Sequence, residues 1–159
     1  MKKIVFLLNK EKETMFVGYN LGKIIKSKID KYILYFYGDL GSGKTTFIRG
    51  FLRGLGYTGV VKSPSYTLLE SYFLKQYNVY HFDFYRVNSF KEIELLGIQD
   101  FFYQNFIFLI EWAEKGENFL SLPDIKIYLS YLNEDRRMIS LFFLNQKLNI
   151  ISKKKLMDK

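Results

Sequence analysis

The stretch Ile33-Leu34-Tyr35-Phe36-Tyr37-Gly38-Asp39-Leu40-Gly41-Ser42-Gly43-Lys44-Thr45 decides the fold. Ile33 to Tyr37 is an uninterrupted apolar run, as a parallel strand covered on both faces reads. Gly38 to Thr45 satisfies G-x-x-x-x-G-K-[ST] at every fixed position. Thr46-Phe47-Ile48 then opens a helical pattern that stops at Gly54-Leu55-Gly56. Strand, glycine loop and helix in this order form the context in which such a motif cradles phosphate. Glycines let successive backbone N–H groups turn inward, and the helix aims its positive end at the anion. Lys44 supplies a mobile cation for β and γ oxygens, and Thr45 offers a hydroxyl to Mg²⁺, which prefers hard oxygen ligands. Asp39, Leu40, Gly41, Ser42, Gly43, Lys44, Thr45 and Thr46 are therefore the expected shell of a magnesium-bound nucleoside triphosphate, with ATP the first choice.

Outward from the loop, Ile4 to Leu8 reads as a strand. Val17, Leu21, Ile24, Ile25 and Ile29 recur at helical spacing and predict an amphipathic helix from about Lys10 to Lys28. Leu68–Phe73 and Val79–Tyr85 are strand candidates, and Ser89 with Glu92 matches a capping box for a helix through about Leu96. Phe106 to Ile110 is a second continuous apolar run, followed by strands at Ile125–Leu129 and Met138–Phe143. Alternating strands and helices predict an α/β fold, a P-loop NTPase-like three-layer sandwich with a mixed, largely parallel central sheet. The close pairs 68–73/79–85 and 125–129/138–143 are its expected antiparallel neighbours. One domain is expected over 1–150, with 151–159 as a basic, solvated tail.

Composition narrows the chemistry. The absence of cysteine excludes disulfides, thiolate metal sites and a cysteine nucleophile, and a single histidine, His81, excludes a multi-histidine metal site. The apolar run after Met1 stops at Asn9-Lys10-Glu11-Lys12, too short for a secretory segment, and no stretch approaches a membrane span. A cytoplasmic protein is the expectation. The formal net charge of +8 points to an anionic partner such as nucleic acid, part of it residing in Lys153-Lys154-Lys155.

Phosphoryl chemistry needs a carboxylate for the magnesium shell and a group that orients the nucleophile. Ligands in open α/β sheets bind beyond the carboxyl ends of the strands. Asp83, after Val79 to Phe82, and Glu111, after Phe106 to Ile110, are acids that abruptly end apolar runs, and either suits the task. Ser63-Pro64-Ser65-Tyr66-Thr67 reads from its residues as a proline-stiffened loop, with a γ-phosphate-sensing switch as the functional alternative. Trp112 is a packed residue or a platform for a base. His81 reads as a structural residue among strand aromatics.

Taken together, Gly38 to Phe47, Arg49-Gly50, Ser63 to Leu68, His81-Phe82-Asp83-Phe84-Tyr85-Arg86 and Glu111-Trp112 resemble the bacterial TsaE (YjeE) family in content, order and spacing. Leu96-Gly97-Ile98, Thr14 and Leu21-Gly22 also look like family positions, and the resemblance fades after about Leu144. It implies an ATPase, weak alone, that docks on the TsaB–TsaD heterodimer and supports formation of N6-threonylcarbamoyladenosine at position 37 of tRNA. It implies Lys44 on the phosphates, Thr45 and Glu111 as magnesium ligands, and Asp83 as the acid needed for hydrolysis. Trp112 and Thr14 would line the adenine side, and Ser63, Ser65 and Thr67 would belong to the switch, with Ser65 where the family usually has threonine. A late arginine near the nucleotide aligns with Arg136 or Arg137, Arg136 being the working choice. The competing readings are a small P-loop kinase and a nucleotide-dependent binding module without useful turnover. Only Arg136-Arg137 offers the kinase a lid, and no segment is spare for an acceptor site.

Overall fold

A computed structural model of the chain describes residues 1–28, 30–103 and 105–158. The elements run β1 (Lys2–Leu8), α1 (Glu11–Lys26), β2 (Tyr32–Tyr37), α2 (Lys44–Leu55), β3 (Leu69–Phe73) and β4 (Asn78–Asp83). They continue as α3 (Phe90–Leu95), a 3₁₀ turn over Ile98–Tyr103, β5 (Phe106–Glu111), β6 (Ile125–Tyr131), β7 (Arg137–Phe143) and α4 (Lys153–Met157). The seven strands form one sheet in the order β1-β7-β6-β2-β5-β4-β3. Its central strands β6, β2, β5 and β4 are parallel, while β3 pairs antiparallel with β4, and β7 with both β6 and β1. Both expected antiparallel pairs are present, in an α/β fold whose mixed sheet is flanked by helices.

Strand alternation builds a core on each face of the sheet. From β2, Tyr32, Leu34 and Phe36 join the core under α1 and α2, while Ile33 and Tyr35 join the one under α3. In β5, Ile107 and Leu109 face α1 and α2, and Phe106, Phe108 and Ile110 face the other way. This two-sided burial is why β2 and β5 read as unbroken apolar runs. Each wholly buried Leu, Ile or Phe contributes about 1.5–3 kcal/mol from apolar burial.

Helices α1 and α2 touch along glycines. A Cβ on Gly50 would overlap the Met15 carbonyl oxygen, and one on Gly18 would overlap that of Phe47. The backbones therefore lie close enough to lock α1 against α2 along their lengths. Ser27 caps α1, so the helix ends short of Lys28, and Ile29 lies outside the described residues. At α3, Glu92 accepts from the Asn88 N–H at 3.3 Å and the Ser89 hydroxyl at 3.4 Å, while the Ser89 side chain makes no cap bond to the backbone.

The solvated tail expected after residue 150 is instead part of the body. Ile151 and Leu156 are wholly buried, and the buried Asn20 amide donates to the carbonyls of Leu156 and Asp158 at 3.0 Å each. The physical reason is apolar spacing: Ile151 and Leu156 face one way and dock on α1, leaving the lysines outward.

Candidate functional site

The loop leaves β2 through Gly38, at φ +144°, where a Cβ would overlap the Leu129 carbonyl oxygen. Gly43, at φ +105°, caps α2 in the left-handed region. Between them the chain closes around the Lys44 ammonium, which donates to the carbonyls of Gly38 at 2.5 Å and Asp39 at 3.0 Å. Nζ lies 4.4 Å above the Trp112 ring. Burial lowers the lysine pKa, and the charges of Glu111 and Asp83 oppose that shift. The hydroxyls of Ser42 and Thr14 are buried without a hydrogen-bond partner among the described residues. An orphaned polar group of this kind calls for an explanation, and a bound polar ligand supplies one.

Strand register brings the acids together. Asp83 ends β4 directly opposite Glu111 at the end of β5, and each is 3% exposed. Glu111 Oε1 accepts from the Thr45 hydroxyl at 3.1 Å and lies 2.8 Å from Nε2 of His81, which is wholly buried. Asp83 accepts from the Tyr85 N–H at 2.9 Å and from the Ser65 hydroxyl at 3.2 Å, and Ser65 in turn meets Ser63 at 2.8 Å. Burial raises the Asp83 pKa, the Tyr85 hydrogen bond opposes it, and the neighbouring Glu111 charge adds to it.

Among the described residues, no cluster of three or more His, Cys, Asp or Glu is arranged to hold a metal. What converges is one hydroxyl and one carboxylate, Thr45 and Glu111. That donor set fits Mg²⁺, which takes one or two protein oxygens and completes its octahedron with water and phosphate.

The cleft encloses about 380 Å³ and is lined by eleven of the expected residues: Leu40, Gly41, Gly43, Lys44, Thr45, Thr46, Ser63, Ser65, Asp83, Glu111 and Trp112. Thr14 sits behind its floor, with Cγ2 3.6 Å from the position a Cβ on Gly43 would take. Asp39 is exposed on the loop shoulder and Ser42 is buried within it. Thr67 points elsewhere, its hydroxyl 3.3 Å from Glu70. Trp112 is held in the left-handed region at φ 56°, with its N–H donating to the Phe36 carbonyl at 3.1 Å. Arg137, not the exposed Arg136, lines the cleft.

Other residues escaped the sequence reading. Glu11 lines the cleft and accepts from the Thr46 hydroxyl at 2.8 Å. Tyr85 lines it beside Trp112, with ring centroids 5.0 Å apart. The Tyr131 hydroxyl donates to the Gly41 carbonyl. The one signal available was period two: His81 and Asp83 share a strand face, as do Arg137 and Ile139.

A glycine loop between a central parallel strand and a helix, with acids at the ends of adjacent strands, defines a P-loop nucleotide-binding protein of the α/β sandwich class. The family model for "Threonylcarbamoyl adenosine biosynthesis protein TsaE" matches residues 8–139, and the chain belongs to the TsaE family. It is 44% identical over 130 residues to the tRNA threonylcarbamoyladenosine biosynthesis protein TsaE of Haemophilus influenzae, covering 81% of this chain and 82% of the relative. The TsaE of Bacillus subtilis is 38% identical over 108 residues, covering 68% of this chain and 67% of its own. The crystal structure of Bacillus subtilis YdiB superposes with a TM-score of 0.75 at 27% identity, covering 92% of this chain and 88% of that one.

Proposed function

We propose that this chain binds and hydrolyses Mg-ATP in support of N6-threonylcarbamoyladenosine formation at position 37 of tRNA, acting in the cytoplasm with the TsaB–TsaD heterodimer. The observation that carries the proposal is the meeting of the Thr45 hydroxyl and the Glu111 carboxylate at 3.1 Å, beside a buried ammonium and a buried second acid. Magnesium, when bound, neutralises charge on the β and γ oxygens. Thr45 and Glu111 are its proposed ligands. Lys44 trades its two loop carbonyls for phosphate oxygens, and the orphan hydroxyl of Ser42 is a further donor within the loop. Asp83 orients the attacking water, its own orientation fixed by Tyr85 and Ser65. The Ser65 bond ties that acid to the Ser63–Thr67 segment, so movement of the segment would alter the acid's position. Trp112, which lines the cleft, and Thr14, buried beside Gly43, are the residues proposed for the adenine side.

Hydrolysis by the chain alone is proposed to be weak, with partner docking acting through the Ser63–Thr67 segment that holds Asp83 by the Ser65 hydroxyl. The test is phosphate release from Mg-ATP by the chain alone, with TsaB–TsaD, and with TsaB–TsaD plus tRNA. Stimulation by the partners, lost in Lys44→Ala and Asp83→Ala, is expected. Transfer of phosphate to a small-molecule acceptor faster than its release would move the protein to the kinases. Undiminished cellular function of Asp83→Ala, alongside loss in Lys44→Ala, would make it a binding module.

A further inference from the structure

The C-terminal segment carries an observation that nucleotide chemistry leaves unused. It lies beyond residue 139, where the family match ends, yet it is built onto the domain rather than trailing from it. Ile151 and Leu156 are wholly buried, Asn20 holds the carbonyls of Leu156 and Asp158, and the Ser152 hydroxyl accepts from the Lys155 N–H at 3.3 Å to cap α4. These contacts fix Lys153, Lys154 and Lys155 as exposed cations on a defined surface.

That surface meets the end of α1. Lys23, Lys28 and Lys155 line one open groove of about 380 Å³ together with Ile24, Ser27 and Ile150–Ile151, and among the described residues no acid lines it. Asp30 is paired with Lys147 at 2.7 Å, and Asp158 stands at the C-terminal end of α4. The groove is remote from the nucleotide cleft. Lys23 lies twelve residues beyond Glu11 on α1, about 18 Å along the helix axis.

We infer that the groove between the end of α1 and the docked α4 is a binding surface for the phosphodiester backbone of RNA. The choice of RNA among polyanions rests on the proposed role in tRNA modification. The local geometry favours it over a lipid surface. Five residues of helix, with Ile150 and Met157 as the segment's exposed apolar side chains, give too little apolar face to enter a bilayer. Lysines acting as point charges on phosphates bind without reading sequence, so the surface holds tRNA in register while the cleft remains open to nucleotide.

The test compares the full chain with Lys23→Glu/Lys28→Glu/Lys155→Glu and with the charge-preserving arginine triple at the same positions. Each is titrated with an unmodified tRNA transcript over a salt series. The wild-type chain and the arginine triple are expected to bind. The glutamate triple should bind at least about tenfold more weakly near about 0.1 M salt, with the log–log salt slope shallower by roughly 2–3. Thermal melting and basal Mg-ATP hydrolysis should be unchanged in both triples, since none of these lysines touches the cleft. Equal tRNA binding by the glutamate triple overturns the inference, as does wild-type binding to phosphatidylglycerol vesicles but not to tRNA. Absence of Mg-ATP hydrolysis in a preparation that still binds tRNA through these lysines would instead remove the ATPase proposal and leave the surface standing.

Discussion

Nε2 of the buried His81 lies 2.8 Å from Oε1 of Glu111, the oxygen that also accepts from the Thr45 hydroxyl. A carboxylate only accepts, so the imidazole presents Nε2–H to it, and Nδ1 is left buried without a partner. Two donors on one oxygen hold the Glu111 side chain in a single orientation and leave its second oxygen free. From the sequence, His81 reads as a structural residue among strand aromatics. Its place behind Glu111 suits it to position that carboxylate as well.

Replacing His81 by Ala removes a buried hydrogen bond to a charged group, a loss of about 1.5–3 kcal/mol. The expected outcome is a lower denaturant midpoint and a Mg²⁺ requirement for hydrolysis raised roughly tenfold. Nucleotide affinity measured without metal should change far less. His81→Gln, whose amide can still reach toward Glu111, should recover part of the metal response. Equal losses of metal response and metal-free nucleotide affinity would return His81 to a purely structural role.

Asp83 carries its own cost. Its pKa is raised in the folded chain, chiefly by burial, so the folded state holds the proton more tightly than the unfolded chain does. Stability from this group is therefore greatest below the unfolded value of about 3.9 and falls as pH rises toward the folded pKa. Asp83→Asn removes the buried charge while keeping an oxygen for the Tyr85 N–H. We expect it to melt at the same or a higher temperature than the wild type at neutral pH, with a flatter pH dependence of stability. Partner-stimulated hydrolysis should fall about 100-fold or more. A melting temperature clearly below the wild type at neutral pH would contradict the burial argument.

The loop, its strand and its helix were legible because they are local: thirteen consecutive residues contain strand, turn and helix start. Asp83 and Glu111 were legible as acids closing apolar runs, but their pairing depends on β4 lying beside β5, a contact across 28 positions that no local pattern encodes. The α1–α2 glycine contact was hidden for the same reason. Gly18 and Gly50 each look like a weak helix residue until the two helices are placed together. The docked α4 was hidden by size, since five residues are too few to display a helical period.

Gly50→Ala tests that contact. Its new methyl would overlap the Met15 carbonyl, a backbone atom that cannot swing aside. Helices α1 and α2 must separate, at an overpacking cost of about 1–3 kcal/mol, or several degrees in melting temperature. Because Glu11 and Thr14 ride on α1 beside the loop, ATP affinity should fall as well. A variant with normal stability and affinity would mean that the helices have room to part.

Arg137 and Arg136 can be told apart by strand geometry. Ile139, Leu141 and Phe143 of β7 point into the core under α1 and α2, the face on which the cleft opens. Period two places Arg137 on that same face. Arg136 belongs to the preceding turn, where its N–H donates to the Asn133 side chain at 2.9 Å. Arg137 also has its guanidinium carbon 5.3 Å from the centre of the Tyr131 ring, and its Nε is buried with no acceptor. A donor left unmatched at the cleft wall is suited to a phosphate oxygen. Arg137→Ala is therefore expected to weaken Mg-ATP binding roughly tenfold, the worth of a charged hydrogen bond, while Arg136→Ala leaves it unchanged. Arg137→Lys should not restore it, because lysine keeps the charge but has neither the planar fork nor the Nε donor. Isothermal titration with a non-hydrolysable ATP analogue separates the three variants, and a loss confined to Arg136→Ala would reverse the assignment.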